Sequence, residues 1–304
     1  IGGTTSMDTE QMTRMNVSFG GDAVSVNASF NADYDFGPGN AASFGVHTAN
    51  ATTNIMSFAS VTAGRMALNL GSGRIIGSND WIYDGYTWVG LMFAMNNDFA
   101  DIHVGYASAN RENDEVADNN FDNSQMMFNV AKDMGDMGFN LLYVSTDVSG
   151  AESTAMGLDG TYAMANGANV SLGYYTSENA AGAEGGLTSL GVDYAINDDL
   201  NVSVGMDMYD ENGFYQASGN VAAADGGFWG TGMRAITQEC DVMSFGGTYN
   251  MGDFTFGATM YNVSDDANLD YSVTDMSLAY TLSESSSFSV TMSNGDSGLS
   301  LIHI

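Results

Sequence analysis

The chain of 304 residues carries 37 Asp plus Glu against 6 Lys plus Arg, a formal net charge of -31. Such a charge repels phosphate backbones and argues against a nucleic-acid role. An apolar share of 44% with a single proline, Pro38, excludes a disordered linker. The lone Cys240 excludes an intrachain disulfide framework, and no run approaches the ~18 apolar residues of a spanning helix.

From the N-terminus, the first clear element is AVSVNASFNADYDF, residues 23–36. Val24, Val26, Ala28, Phe30, Ala32, Tyr34 and Phe36 alternate with Ser25, Asn27, Ser29, Asn31, Asp33 and Asp35. Successive strand side chains point to opposite faces, so this is a long β-strand with one apolar and one wet, acidic side. Residues 99–108 repeat the pattern, with Ile102, Val104 and Tyr106 opposing Asp101 and His103. Residues 138–147 put Phe139, Leu141 and Tyr143 on one face; residues 169–178 and 200–210 follow, the latter with Asp207 on the polar side. In 253–264, Phe254, Phe256, Ala258 and Met260 oppose Thr255, Gly257, Thr259 and Tyr261. Segments 276–282 and 287–293 carry the alternation to the C-terminal region, and helical periodicity never persists. The chain is all-β.

Short turns at 20–22, 96–98, 133–138, 166–169, 197–199, 251–253 and 283–286 alternate with longer polar links such as 109–122, 177–186 and 210–240. Short-long alternation marks an up-and-down meander with tight turns on one rim and loops on the other. About 16–18 strands of roughly ten residues are expected, the length a tilted membrane strand needs. No composition shift divides the chain, which predicts a single domain over 1–304. A closed sheet of this size is too wide for side chains to fill. An apolar outside and a polar inside then describe a transmembrane antiparallel β-barrel around water, with short periplasmic turns and longer extracellular loops. The 21 methionines are expected to coat its lipid face. If the short turns are periplasmic, strand parity calls for residues before Ile1 or a final segment that is not a strand.

This layout resembles the outer-membrane porins of Gram-negative bacteria along essentially the whole chain. Within it, GRMALNLGSGRIIGSNDWIYDGYTWVGLMF, residues 64–93, resembles a segment of alginate-export-type porins, with Arg65, Arg74, Gly77, Trp81 and Gly85 at the matching positions. The resemblance implies a bacterial outer-membrane location and a diffusion channel. The expected partners are outer-membrane lipid, small hydrophilic solutes and ions, and further copies of the chain, as in a trimer. A polyanion such as alginate calls for a basic lumen, however, and the only cations in the chain are Arg14, Arg65, Arg74, Arg111, Lys132 and Arg234.

The expected lumen residues are Asp33, Asp35, Asp101, His103 and Asp207, with Arg65 and Arg74 as the constriction. Those two arginines either set an electrostatic constriction beside an inward-folding loop or pair with lumen carboxylates. Trp81 and Trp88 are the expected interface anchors. In 109–122, Asp114, Glu115, Asp118 and Asp122 form a weak Ca²⁺ candidate without the spaced D-x-D-x-D-G pattern, and a solvated acidic loop is the favoured reading. His47, His103 and His303 form no ligand pair and the glycine-rich pieces precede no helix, so neither an enzyme nor a cofactor is expected. Two classes remain. One is a passive, weakly cation-selective channel; the other is a structural or adhesive barrel that is plugged.

Overall fold

The structure, a computed structural model, describes residues 10–21, 23–35, 42–77, 87–96, 98–108, 123–148, 150–214, 239–264, 271–283, 286–295 and 300–303. The first strands are β1 (Glu10–Gly20), β2 (Val24–Asp35), β3 (Ala42–Met56), β4 (Ala59–Met66), β5 (Trp88–Asn96) and β6 (Asp101–Ser108). They continue as β7 (Asn123–Asp133), β8 (Met137–Val148), β9 (Ala151–Ala163), β10 (Ala168–Glu178), β11 (Glu184–Ala195) and β12 (Leu200–Tyr209). The last are β13 (Cys240–Met251), β14 (Phe254–Ser264), β15 (Tyr271–Ser283), β16 (Ser286–Gly295) and β17 (Ser300–His303). Each strand pairs antiparallel with the next, in one 17-stranded sheet. The final short segment is therefore a strand, paired with β16 from Asn294↔Ser300 to Thr291↔His303.

The two rims differ as the turn chemistry predicts. The links that leave β1, β3, β5, β7, β9, β11, β13 and β15 start from one rim and span two to four residues each. Those that leave β2, β4, β6, β8, β10, β12, β14 and β16 start from the other rim, and the longest follow β4, β6 and β12. Gly135 and Gly167, at φ 83° and 86°, sit in short-rim turns where a side chain would be strained.

Parity is kept around the sheet because residues directly opposed across antiparallel strands share a face. One row runs Thr52, Thr62, Met92, Gly105, Met127, Val144, Ala155, Ser177. The opposite face carries the large exposed apolar side chains, among them Phe19, Phe44, Leu91, Phe128, Leu172, Leu190, Phe245 and Phe288. An apolar surface this extensive is incompatible with water on that side. The expected parity of β2 holds: Val24 and Tyr34 are exposed on the apolar face, while Ser29 and Asn31 are buried on the other. The methionines divide between faces. Met15, Met126 and Met156 are exposed outside, but Met66, Met92 and Met127 are buried inside, so the expectation of a purely lipid-facing set is corrected.

The sheet curls around a segment of its own. Residues 67–77, from the β4–β5 link, contact Asn140 on β8, Asp159 on β9, Tyr175 on β10 and Asp207 on β12. From β5 to β12 a flat sheet would spread about 34 Å at about 4.8 Å per strand. A short link touches all four strands only if they bend around it.

Candidate functional site: an inward loop and a wet chamber

Two stacked inner rows receive the 67–77 segment. The first is Asn129, Leu142, Gly157, Tyr175, Leu187, Tyr209 and Cys240. The second, one step nearer the short-turn rim, is Asn140, Asp159, Gly173, Ser189, Asp207 and Val242. The segment lays Ile75 and Ile76, 2% and 0% exposed, into the apolar part of this wall beside Leu142, Val144, Tyr175 and Phe214. Burying two isoleucines contributes roughly 3–6 kcal/mol of transfer free energy, enough to hold a loop inside the sheet.

Polar contacts set its register. Leu70 N donates to Ile76 O at 3.0 Å and Gly73 N to Leu70 O at 3.1 Å, closing a tight hairpin-like turn. Gly71 adopts φ 61°, and a Cβ there would lie 2.3 Å from Asn140 Nδ2 and 2.6 Å from Asp159 Oδ2. Only glycine fits that approach. Ser72 N donates to Asp159 Oδ2 at 3.2 Å, and Ser72 Oγ lies 2.8 Å from Tyr175 Oη, which itself donates to Asp159 Oδ1. Arg74 Nη2 donates to Asp207 Oδ2 at 2.6 Å, while Ser189 Oγ donates to Asp207 Oδ1 at 2.6 Å. Burial works against the Arg74 cation, but the Asp207 carboxylate and the nearby Tyr209 and Tyr175 together outweigh burial and hold the guanidinium above its ordinary proton affinity. The arginine side chain stays 32% exposed, so its charge is tethered yet still meets the lumen.

Below the loop, toward the short-turn rim, the inner wall of β11–β16 turns small and hydroxylated. One cross-strand row is Asp193, Ser203, Gly246, Thr259, Asp275; the next is Asn201, Thr248, Gly257, Ser277, Thr291. All of them but Gly246 line a cavity of about 490 Å³. Tyr261 lines the cavity and also packs on the apolar cluster above it.

The expected site residues separate into distinct places. Asp33 is on the inner face of β2 and accepts a hydrogen bond from Ser43 Oγ at 3.1 Å. Asp101 and His103 are on the inner face of β6, and His103 Nδ1 lies 3.3 Å from Asn129 Oδ1. Asp207 and Arg74 meet directly, the pairing alternative for that arginine. Arg65 is a correction. It opposes Ala49 and Val89 on the outer face, and its Nη1 donates to Val46 O at 2.8 Å. The polar parity of β4 runs through Ser60 and Thr62, which places Arg65 with Val61 and Ala63 outside. Trp88 is a second correction: it is buried on the inner face and donates through Nε1 to Gln125 Oε1 at 2.8 Å, instead of anchoring at a lipid interface. The side chain of Asp35, Trp81, and the Ca²⁺ candidates Asp114, Glu115, Asp118 and Asp122 lie outside the described residues. Ser72, Asp159, Tyr175 and Ser189 escaped the sequence reading. The local signal was present in GSGRIIG, where two adjacent isoleucines in a polar link point to a loop that packs on something.

No protein-family model matches the chain, and no curated protein does. Solved structures do. OccK11 (OpdR) of Pseudomonas aeruginosa superposes with a TM-score of 0.68 at 11% identity, covering 98% of this chain and 88% of that one. OpdK of the same organism, solved with vanillate, gives 0.67 at 8% identity, with 98% and 88% covered. The outer membrane protein OprD from Pseudomonas aeruginosa gives 0.66 at 11% identity, with 95% and 83% covered. At such identities the likeness is one of fold: an up-and-down antiparallel β-barrel of the outer-membrane porin type. The resemblance of residues 64–93 to alginate-export-type porins is not borne out; the similar structures are OprD/Occ channels.

Proposed function

We propose that this chain is a channel of the Gram-negative outer membrane, its longer links facing outside, passing small hydrophilic solutes and ions without catalysis. The observation that carries the reading is the pairing of an outer face of exposed apolar side chains with an inner face that holds a folded-in loop and a hydroxylated, acidic chamber. That is the division of a wet barrel in lipid. The OprD/Occ fold supports it.

Its selectivity follows from charge. Strands β11–β16 contain no lysine or arginine, and Arg74 is matched by Asp207. On the inner face Asp33, Asp101, Asp193 and Asp275 outnumber Arg14, which opposes Asn31, and set a negative lumen potential concentrated between low-dielectric walls. Cations and uncharged solutes are favoured over anions and over an anionic polysaccharide. In planar bilayers under a KCl gradient, the reversal potential should indicate cation preference that grows as salt falls. The reason is screening: the Debye length lengthens from about 3 Å at 1 M to about 10 Å at 0.1 M. Anion preference at low salt would overturn the acidic-lumen reading. A complete absence of conductance would favour a plugged, structural barrel.

A further inference from the structure

Resting on the membrane-channel reading of the two faces, we propose that Arg65 heads a docking site for one lipid of the outer leaflet. The lipid's phosphate pairs with the guanidinium, and an acyl chain lies in the shallow trough beside it. Among the described residues, two cations stand on the outer face. Lys132 opposes Phe139 at the short-turn rim and donates to Asp98 O. Arg65 is near the far end of β4, between Ala49 and Val89. A cation held against hydrocarbon is costly unless it reaches polar groups, so its height decides what it meets.

Other strands supply the height. Exposed Phe58, Phe99 and Ile196 carry the apolar surface down to the short turns. Six positions up from the start of β8, β10 and β14 stand Tyr143, Tyr174 and Met260, all exposed. The next outward residues are Ser145, Thr176 and Asn262. The apolar band therefore ends at that level, and tyrosines at its edge fit a lipid interface. Arg65 stands six positions up from Ala59. Its Nη1 reaches past Ala49, the residue it faces, to Val46 O, nearer the long-link rim. The guanidinium thus leaves the apolar band and enters the polar layer in which lipid phosphates lie.

Charge and shape select the occupant. On β8–β11 the outer residues at the long-link rim include Asp147, Glu152, Glu178 and Glu184, which repel an anionic headgroup. β4 instead offers a guanidinium, whose planar fork suits two phosphate oxygens. Below it, the cross-strand row Phe19, Val26, Ala51, Ala63, Leu91 is bulky at both ends and small in the middle. Ala28 and Ala49 continue the small floor up to Arg65. Two strand spacings make this track roughly 10 Å wide, room for a chain to lie along. The bond to Val46 O also ties β4 to β3, a structural role that a lipid measurement separates from binding.

Native mass spectrometry of the folded protein, in detergent micelles doped with equal phosphatidic acid and phosphatidylcholine, reads the preference. The heat-dependent shift on unboiled gels first checks that each variant is folded. Unmodified protein should retain phosphatidic acid about fivefold over phosphatidylcholine, the bias one cation gives at an anionic surface. Arg65→Gln should lose that bias, while Arg65→Lys and Lys132→Gln keep it. Ala63→Phe, which fills the trough and leaves the charge, should weaken it as well. Undiminished bias in Arg65→Gln or Ala63→Phe, or its loss in Lys132→Gln, overturns the site. So does a lipid-free dimer that Arg65→Gln dissociates, which would make this face an interface between copies. Liposome flotation keeps the two readings apart. A folded protein that floats with phosphatidylcholine vesicles yet shows no lipid bias overturns the site alone. One that does not float overturns the membrane reading and the site with it.

Discussion

Phe30 and Asn27 stand three positions apart on β2 and look in opposite directions. Phe30 stacks on Phe44 at a ring-centroid distance of 5.8 Å on the outer face, whereas Asn27 accepts a hydrogen bond from Ser18 Oγ at 2.7 Å on the inner one. Phe30→Arg should destabilise the folded barrel by about 2–4 kcal/mol if it lies near the bilayer midplane, with less effect nearer an interface. Asn27→Arg should be far milder, since its charge reaches water. Urea titration in liposomes reads both, and equal destabilisation would contradict the lipid and lumen faces. Gly71 supplies a second test. An alanine there must hold a left-handed backbone at φ 61° and push into Asn140 and Asp159. Gly71→Ala should lower stability by roughly 1–3 kcal/mol, or release the loop, seen as a rise in single-channel conductance.

At the scale of elements, the 67–77 segment behaves as part of the wall because Ile75 and Ile76 are buried as deeply as any side chain among the described residues. Ile76→Ala would leave a void where the side chain is fully covered. Loss of about 2–5 kcal/mol is the usual range for such a truncation, and most of it should fall on docking of the loop, since the strand ladder is untouched. The expected outcome is a larger or noisier conductance with an unchanged heat-dependent gel shift. An unaltered single-channel trace would show that the loop does not narrow the path. The strands themselves were legible from alternation alone, because period two is a local property of each segment. Even here, the sequence reading of residues 138–147 saw only Phe139, Leu141 and Tyr143. Leu142 and Val144 sit between them as inward apolar residues, a departure that becomes meaningful only once a loop is known to cover them.

The whole molecule has two unlike rims, and they make a topological prediction. If the long links face outside, protease added to intact cells should cut within 109–122 or 210–239 and spare 134–136 and 196–199. Cutting at the short turns from outside would reverse the orientation, and mass spectrometry of the fragments distinguishes the two patterns.

Sequence alone determined the all-β class, the face of most strand residues and the order of short and long links. Each of these follows from neighbours along the chain: alternation, turn residues and polarity act over a few positions. Arg65 was within reach of the same rule, since Ser60 and Thr62 set the parity of β4 and leave it outside. The meeting of Arg74 with Asp207, 133 positions apart, was not within reach. Neither was the covering of Val144 and Ala155, nor the inward turn of Trp88 toward Gln125. Those contacts depend on how tightly seventeen strands curl and on which part of the wall a loop then meets. Curvature belongs to the assembled sheet, and no single strand carries it. Only the tertiary structure decided where on an otherwise uniform inner face the folded-in loop is fastened.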